Sequence, residues 1–91
     1  MILVTGGLGF LGSHIALSLM AQGQEVILVD NLANASLQTL ERLEYISGMY
    51  VPFVKVDVRN TPALNKVFEQ YSIDAVIHTA GFKSLEESRL K

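Results

Sequence analysis

Four glycines crowd the run Thr5-Gly6-Gly7-Leu8-Gly9-Phe10-Leu11-Gly12-Ser13. Two spacings overlap in it, Gly7-x-Gly9-x-x-Gly12 and Gly6-x-x-Gly9-x-x-Gly12. The apolar run Met1-Ile2-Leu3-Val4 leads in, and a helical pattern leads out. Strand, glycine turn, helix is the context in which such a run holds the pyrophosphate of a dinucleotide. Gly6 and Gly7 permit the tight turn. Gly9 lets backbone approach phosphate oxygens with no Cβ in the way, and Gly12 lets the helix pack close to the sheet. Free N–H groups at the helix start, at the positive end of its dipole, then face the phosphates. A glycine-rich turn without a ligand is the plainer alternative, and the matching flanks argue against it.

Asp30 follows Glu25-Val26-Ile27-Leu28-Val29, the run that reads as the second strand. It stands about 20 residues beyond the glycine turn, where an acidic side chain meets the ribose hydroxyls. The alternative for Asp30 is a strand-end turn or helix-cap residue. Asn31, Asn34 and Ser36 follow in a polar loop, where ordinary turn chemistry also accounts for them. Asp57 near the end of a later strand either holds its own loop or meets an adenine amine, and the residues leave both open. His14 and His78 have no partners at metal-ligand spacing and read as structural.

The elements that must carry these residues alternate. Residues 2–5 read as a first strand, apolar throughout as in a parallel sheet buried on both faces. Residues 11–22 read as a helix with Leu11, Ile15 and Leu19 four apart and Gly23 as its stop. The second strand is 25–29. A second helix over about 36–47 is marked by Leu37, Leu40, Leu43 and Ile46, with Ser36 as N-cap and Gly48 as stop. The third strand lies within 50–58, and Pro52 places it at a sheet edge. Thr61-Pro62 reads as N-cap and first helical residue. Leu64, Val67, Phe68 and Tyr71 give that helix an apolar face, which makes Tyr71 a core residue. Ala75-Val76-Ile77-His78-Thr79 is the fourth strand, ended by Ala80-Gly81. Residues 82–91 turn polar and could open a further helix.

This β-α-β-α-β-α-β alternation predicts a Rossmann-like α/β parallel sheet with helices on both faces, strand order 3-2-1-4, incomplete at about four strands. Ligands in such sheets sit beyond the carboxyl ends of the strands. Gly6–Gly12, Asp30, Asp57 and Thr79–Gly81 all fall there.

With 91 residues, the chain is one small domain or a piece of one. Its net charge of −2 and lack of any basic patch argue against a nucleic-acid partner. It has no cysteine, which excludes disulfides and thiolate metal sites. No apolar run reaches membrane-spanning length, no signal peptide is apparent, and the cytoplasm is the expected location. The fourth strand would be a bare apolar edge, so self-association through it is expected unless 82–91 fold over it.

The chain resembles the extended short-chain dehydrogenase/reductase superfamily and, within it, the N-terminal part of the UDP-glucose 4-epimerase family. Thr5 to Ser13 match TGGxGxxGS. Asp30-Asn31-Leu32-Ala33-Asn34 match DNLxN, and residues 78–88 resemble HxAGxKxxxES. The chain departs from that pattern at Ala35, where serine is usual, at Thr79, where an aromatic is usual, and at Glu86, where glycine is usual. The resemblance implies that Gly6, Gly9, Phe10, Leu11 and Gly12 cradle the pyrophosphate of NAD. It implies that Asp30 holds the adenine ribose, that Asn31, Asn34 and Ser36 contact the adenosine end, and that Asp57 and Val58 border the adenine. Thr79, Ala80 and Gly81 would line the cofactor, and Lys83 would reach its phosphate or nicotinamide ribose. The carboxylate of Asp30 favours NAD over NADP, since the next arginine, Arg42, falls in the following helix.

In that family a tyrosine of a Tyr-x-x-x-Lys pair takes the sugar hydroxyl proton while hydride passes to NAD. Tyr45, Tyr50 and Tyr71 are followed at that spacing by Met49, Val54 and Ala75. The resemblance thus makes 1–91 the N-terminal part of an NAD-binding domain, with the catalytic pair and the sugar-binding domain outside it and UDP-sugar a partner of the full enzyme only. The alternatives are a non-catalytic nucleotide-binding module, or the corresponding part of a nucleotide-sugar 4,6-dehydratase or uronate epimerase.

Overall fold

Two short apolar strands form the centre of the molecule. β1 (Ile2–Thr5) and β2 (Val26–Asp30) pair in parallel, with Ile2 beside Val26 and Thr5 beside Val29. Side chains alternate between the faces of a strand, so each strand feeds two cores. Val4 and Leu28 pack with Ala16 and Met20 of α1 (Phe10–Ala21) and Leu43 of α2 (Leu37–Ser47). Leu3, Ile27 and Val29 pack on the other face with Val67 of α3 (Thr61–Gln70). Helices therefore cover both faces. Full burial of each of these side chains other than Ala16 contributes about 1.5–3 kcal/mol.

The computed structural model describes residues 1–33, 35–80 and 84–89, with Ala80 and 84–89 described through their backbone. β3 (Phe53–Lys55), β4 (Ala75–Ala80) and β5 (Ser84–Arg89) complete a sheet in the order β3-β2-β1-β4-β5. β4 runs parallel to β1, Thr5 beside His78, and β3 runs parallel to β2. The expected order 3-2-1-4 is present, with β3 at an edge as Pro52 indicated. Among the described residues no helix is long and apolar enough to cross a membrane.

Three expectations need correction. Residues 84–89 do not open a helix. They form β5, antiparallel to β4 from Ala75 beside Arg89 to Ala80 beside Ser84. The sheet has five strands, and the outer edge of β4 is not bare, because the backbone of β5 supplies its hydrogen-bonding partners. Finally, α3 is capped by Asn60, whose Oδ1 accepts the Ala63 N–H at 3.2 Å, so Thr61 is already helical. An asparagine oxygen reaching the third helical amide is as good a cap as threonine, and Pro62 still sits in the first turn, where its missing N–H costs nothing.

The other caps match the sequence. Ser36 Oγ accepts the Gln38 N–H at 3.0 Å, and Gly48 ends α2 with φ of 69°. After α1, Gly23 and Gln24 return N–H bonds to Met20 and Leu19, a Schellman closure with Gly23 at φ of 84°.

Candidate functional site

The turn from β1 into α1 closes on one atom. The Gly6 carbonyl accepts the Gly9 N–H at 3.0 Å. Gly6 has φ of 67°, which a side chain would strain, and a Cβ there would strike the Thr79 hydroxyl. A Cβ on Gly12 would strike the Gly6 carbonyl, so α1 can sit this close only on glycine. Gly7 is crowded by Leu28, whose Cβ would be 2.7 Å from a Cβ on it. Gly9 differs, since its closest neighbour would be the Gly6 carbonyl at 3.3 Å. Gly9 is the N-cap of α1 and offers no side chain to the first turn, which carries no acidic residue. The N–H groups of Phe10, Leu11 and Gly12 begin the helix and have no acceptor among the described residues. They form an open set of donors at the positive end of a helix. Phe10 is 76% exposed beside them, its ring 4.6 Å from that of His14.

Asp30 reaches this turn from β2. It is buried, at 8% exposure. Its Oδ2 accepts the Leu8 N–H at 3.1 Å and its Oδ1 the Leu32 N–H at 2.8 Å. Each carboxylate oxygen has two lone pairs, so both keep capacity for a further donor such as a ribose hydroxyl. The turn role and the ligand role are therefore compatible. Leu32 takes φ of 64°, rare for its residue type, and the Asp30 bond holds it there.

Ser36 caps α2 and also lines an open groove of about 690 Å³ with Gly9, Phe10, Ser13 and Arg42. The sequence alone places Arg42 in a helix, and the fold turns that helix toward the glycine turn. Asn31 Oδ1 accepts the Ala33 N–H at 2.9 Å in a local turn. Asp57 holds its own loop. It accepts the Arg59 N–H at 2.9 Å and the Arg59 guanidinium at Nη2 at 2.7 Å. The Arg59 side chain and backbone hold its carboxyl well below the usual carboxylate range, with a smaller contribution from Asn31. Asp57 in turn raises the Arg59 guanidinium. Val58 is exposed in the same turn.

At β4, the Thr79 hydroxyl donates to the Thr5 carbonyl at 2.7 Å, so its side chain faces the end of β1. Ala80 ends the strand. Asn34, Gly81 and Lys83 lie outside the described residues. His78 Nδ1 meets Thr5 Oγ1 at 3.1 Å, and His14 Nδ1 donates to the Phe10 carbonyl at 2.8 Å. Both histidines thus have local partners. Tyr71 packs against the α3-side core. The Thr5–His78–Thr79 stitching had no sequence signal beyond strand-end polarity, because it depends on the register of strands far apart in the chain.

Residues 2–90 match the family model described as the NAD dependent epimerase/dehydratase family. The chain belongs to that family. A UDP-glucose 4-epimerase of Neisseria meningitidis serogroup B is 47% identical over 87 residues, which is 96% of this chain and 26% of that protein. A UDP-glucose 4-epimerase of Schizosaccharomyces pombe is 46% identical over 96% of this chain and 24% of its own length. The crystal structure of UDP-glucose 4-epimerase from Bifidobacterium longum in complex with NAD+ and UDP superposes with a TM-score of 0.85 at 44% identity, over 91% of this chain and 25% of that one. This family member spans about a quarter of the length of the curated relatives it matches.

Proposed function

We propose that residues 1–91 form the N-terminal part of the NAD-binding domain of a UDP-glucose 4-epimerase, interconverting UDP-glucose and UDP-galactose. The single observation that carries this is the cradle itself: three amides at the start of α1 with no acceptor among the described residues, a side-chain-free cap at Gly9, and the buried carboxylate of Asp30 beside them. A pyrophosphate fits donors of this kind, and a ribose diol fits the remaining lone pairs of Asp30. The relatives named above favour the 4-epimerase over a dehydratase or a uronate epimerase.

The chemistry supplied by bound NAD is reversible hydride acceptance from C4 of the hexose, through a 4-keto sugar, with return to the opposite face. The residues of this chain bind and orient. Phe10, Leu11 and Gly12 donate N–H groups to phosphate oxygens. Asp30 fixes the adenosine ribose and, through Leu8, the turn that carries those amides. Asn31 and Ser36 would meet the adenosine end, Asp57 and Val58 would border the adenine, and Ala80 at the end of β4 would border the rest of the cofactor. None of the three tyrosines in 1–91 has a lysine four residues on. The proton of the 4-hydroxyl is thus taken by a base outside these residues.

Calorimetry with NAD and NADP tests the reading. NAD should bind more tightly, because the 2′-phosphate of NADP would press against the Asp30 carboxylate. Gly9→Val should abolish binding while circular dichroism stays unchanged. Equal affinity for the two nucleotides, or full binding by the valine variant, refutes the assignment. The 91 residues alone should show no conversion of UDP-galactose with NAD added.

A further inference from the structure

The carboxyl end of β1 is gripped from the side by β4. Thr79 Oγ1 donates to the Thr5 carbonyl at 2.7 Å and lies 3.4 Å from the Gly6 carbonyl. That second carbonyl also accepts the Gly9 N–H, and it is the group a Cβ on Gly12 would strike. On the opposite side, a Cβ on Gly6 would strike Thr79 Oγ1. The hydroxyl therefore fills the space that Gly6 leaves vacant and touches the peptide on which the turn closes. Next to it, His78 Nδ1 pairs with Thr5 Oγ1 at 3.1 Å, so two successive β4 residues hold one β1 residue.

We propose that Thr79 is a positioning residue for the phosphate cradle, acting through the Thr5–Gly6 peptide rather than by touching the nucleotide. This rests on the NAD-binding reading of the cradle. The hydroxyl fixes the Thr5 carbonyl and with it the peptide that leads into Gly6, the Gly6 carbonyl then holds the Gly9 cap, and the cap aims the amides of Phe10, Leu11 and Gly12. A donor set aimed before its ligand arrives binds more tightly than one that must be ordered on binding. Valine matches threonine in shape and lacks the hydroxyl. Serine keeps the hydroxyl and loses a methyl. The two substitutions separate the bond from the packing.

Two readouts follow, one of them independent of nucleotide. In the nucleotide-free chain, Thr79→Val should speed amide hydrogen exchange at Leu8 and Gly9 by about three- to tenfold, the equivalent of one ordinary hydrogen bond. Thr79→Ser should restore the wild-type rates. Exchange at Leu28, in the sheet interior, should not change. Calorimetry should then show NAD affinity about three- to tenfold weaker in the valine variant and recovered in the serine variant. Unchanged exchange at Leu8 and Gly9 overturns the proposal. So does equal acceleration at Leu28, which marks a general loss of stability, or full NAD affinity in Thr79→Val. If wild-type protein binds no NAD while the exchange pattern holds, the NAD reading fails and the clamp on the turn stands.

Discussion

After β1 the chain turns through Gly6 to Gly9 against a buried carboxylate. After β3 it turns through Asp57 to Asn60 around an exposed ion pair. Both turns lie at the carboxyl rim of the sheet, and both use an aspartate to hold backbone N–H groups. They differ in what surrounds the aspartate. Asp30 bonds the amides of Leu8, on another strand's turn, and of Leu32, in its own loop. Asp57 bonds Arg59, two residues away, whose side chain is 85% exposed. The first turn joins separate parts of the fold with backbone atoms and missing side chains. The second holds only itself, with a charge pair that solvent screens. A carboxylate is therefore structurally costly to lose in proportion to what it bridges and how dry it is.

The glycines should break the comparison most strongly. Gly12→Ala forces a Cβ onto the Gly6 carbonyl, and backbone cannot give way as a flexible side chain does. A loss of about 3 kcal/mol or more, the upper range for overpacking, is expected in urea unfolding. Gly9→Ala should cost only about 1 kcal/mol, the loss of a favourable cap residue. Equal costs at the two positions would mean that α1 does not rest on Gly6.

Asp30→Asn comes next. Its amide can present an oxygen to one backbone N–H but turns a donor toward the other. The expected cost is about 1–3 kcal/mol for the stranded amide. The preference for NAD over NADP should narrow with it, since the opposing charge is gone. A variant as stable as wild type would show that Leu8 and Leu32 find other partners.

Arg59→Ala should have the smallest effect on stability, lowering the urea midpoint at neutral pH less than any of the variants above, because the pair is exposed and screened. Its signature is in titration. Asp57 in the folded chain titrates below an ordinary carboxylate, so the pair's contribution is complete above that ordinary range and is lost only as the pH falls through the lowered value. In Arg59→Ala the Asp57 carboxyl, followed by NMR, should move up toward the ordinary range. No movement would detach the shift from Arg59.

These particulars show what the sequence could carry. Ser36, Gly23 and Gly48 were readable because a cap is local: the residue and the amides it serves lie within a few positions. β1, β2 and β4 were readable because burial on both faces leaves a nearly continuous apolar run, whereas β3 is a half-buried edge strand. The Asn60 cap slipped by one residue because Asn60 and Thr61 are both competent and only the backbone decides. β5 was not readable. Its residues are polar apart from Leu85, and its strand form comes from pairing with the edge of β4 rather than from their own periodicity. Asp30 was placed at the rim correctly, but its bond to Leu8 belongs to the three-dimensional approach of two strand ends. The same holds for Thr79 and the Thr5 carbonyl.

The pairing of Thr5 with His78 and Thr79 also sets an order of assembly. β4 and β5 are neighbours along the chain, and a hairpin of that kind closes within about 1–10 μs. β1 and β4 must instead close a loop that contains nearly all the other elements, the slow kind of contact in any folding chain. Pulse-labelled hydrogen exchange should accordingly find protection between β4 and β5 before it finds protection at Gly9. The glycine turn is among the first residues of the chain, yet it gains its working geometry only once β4 has docked.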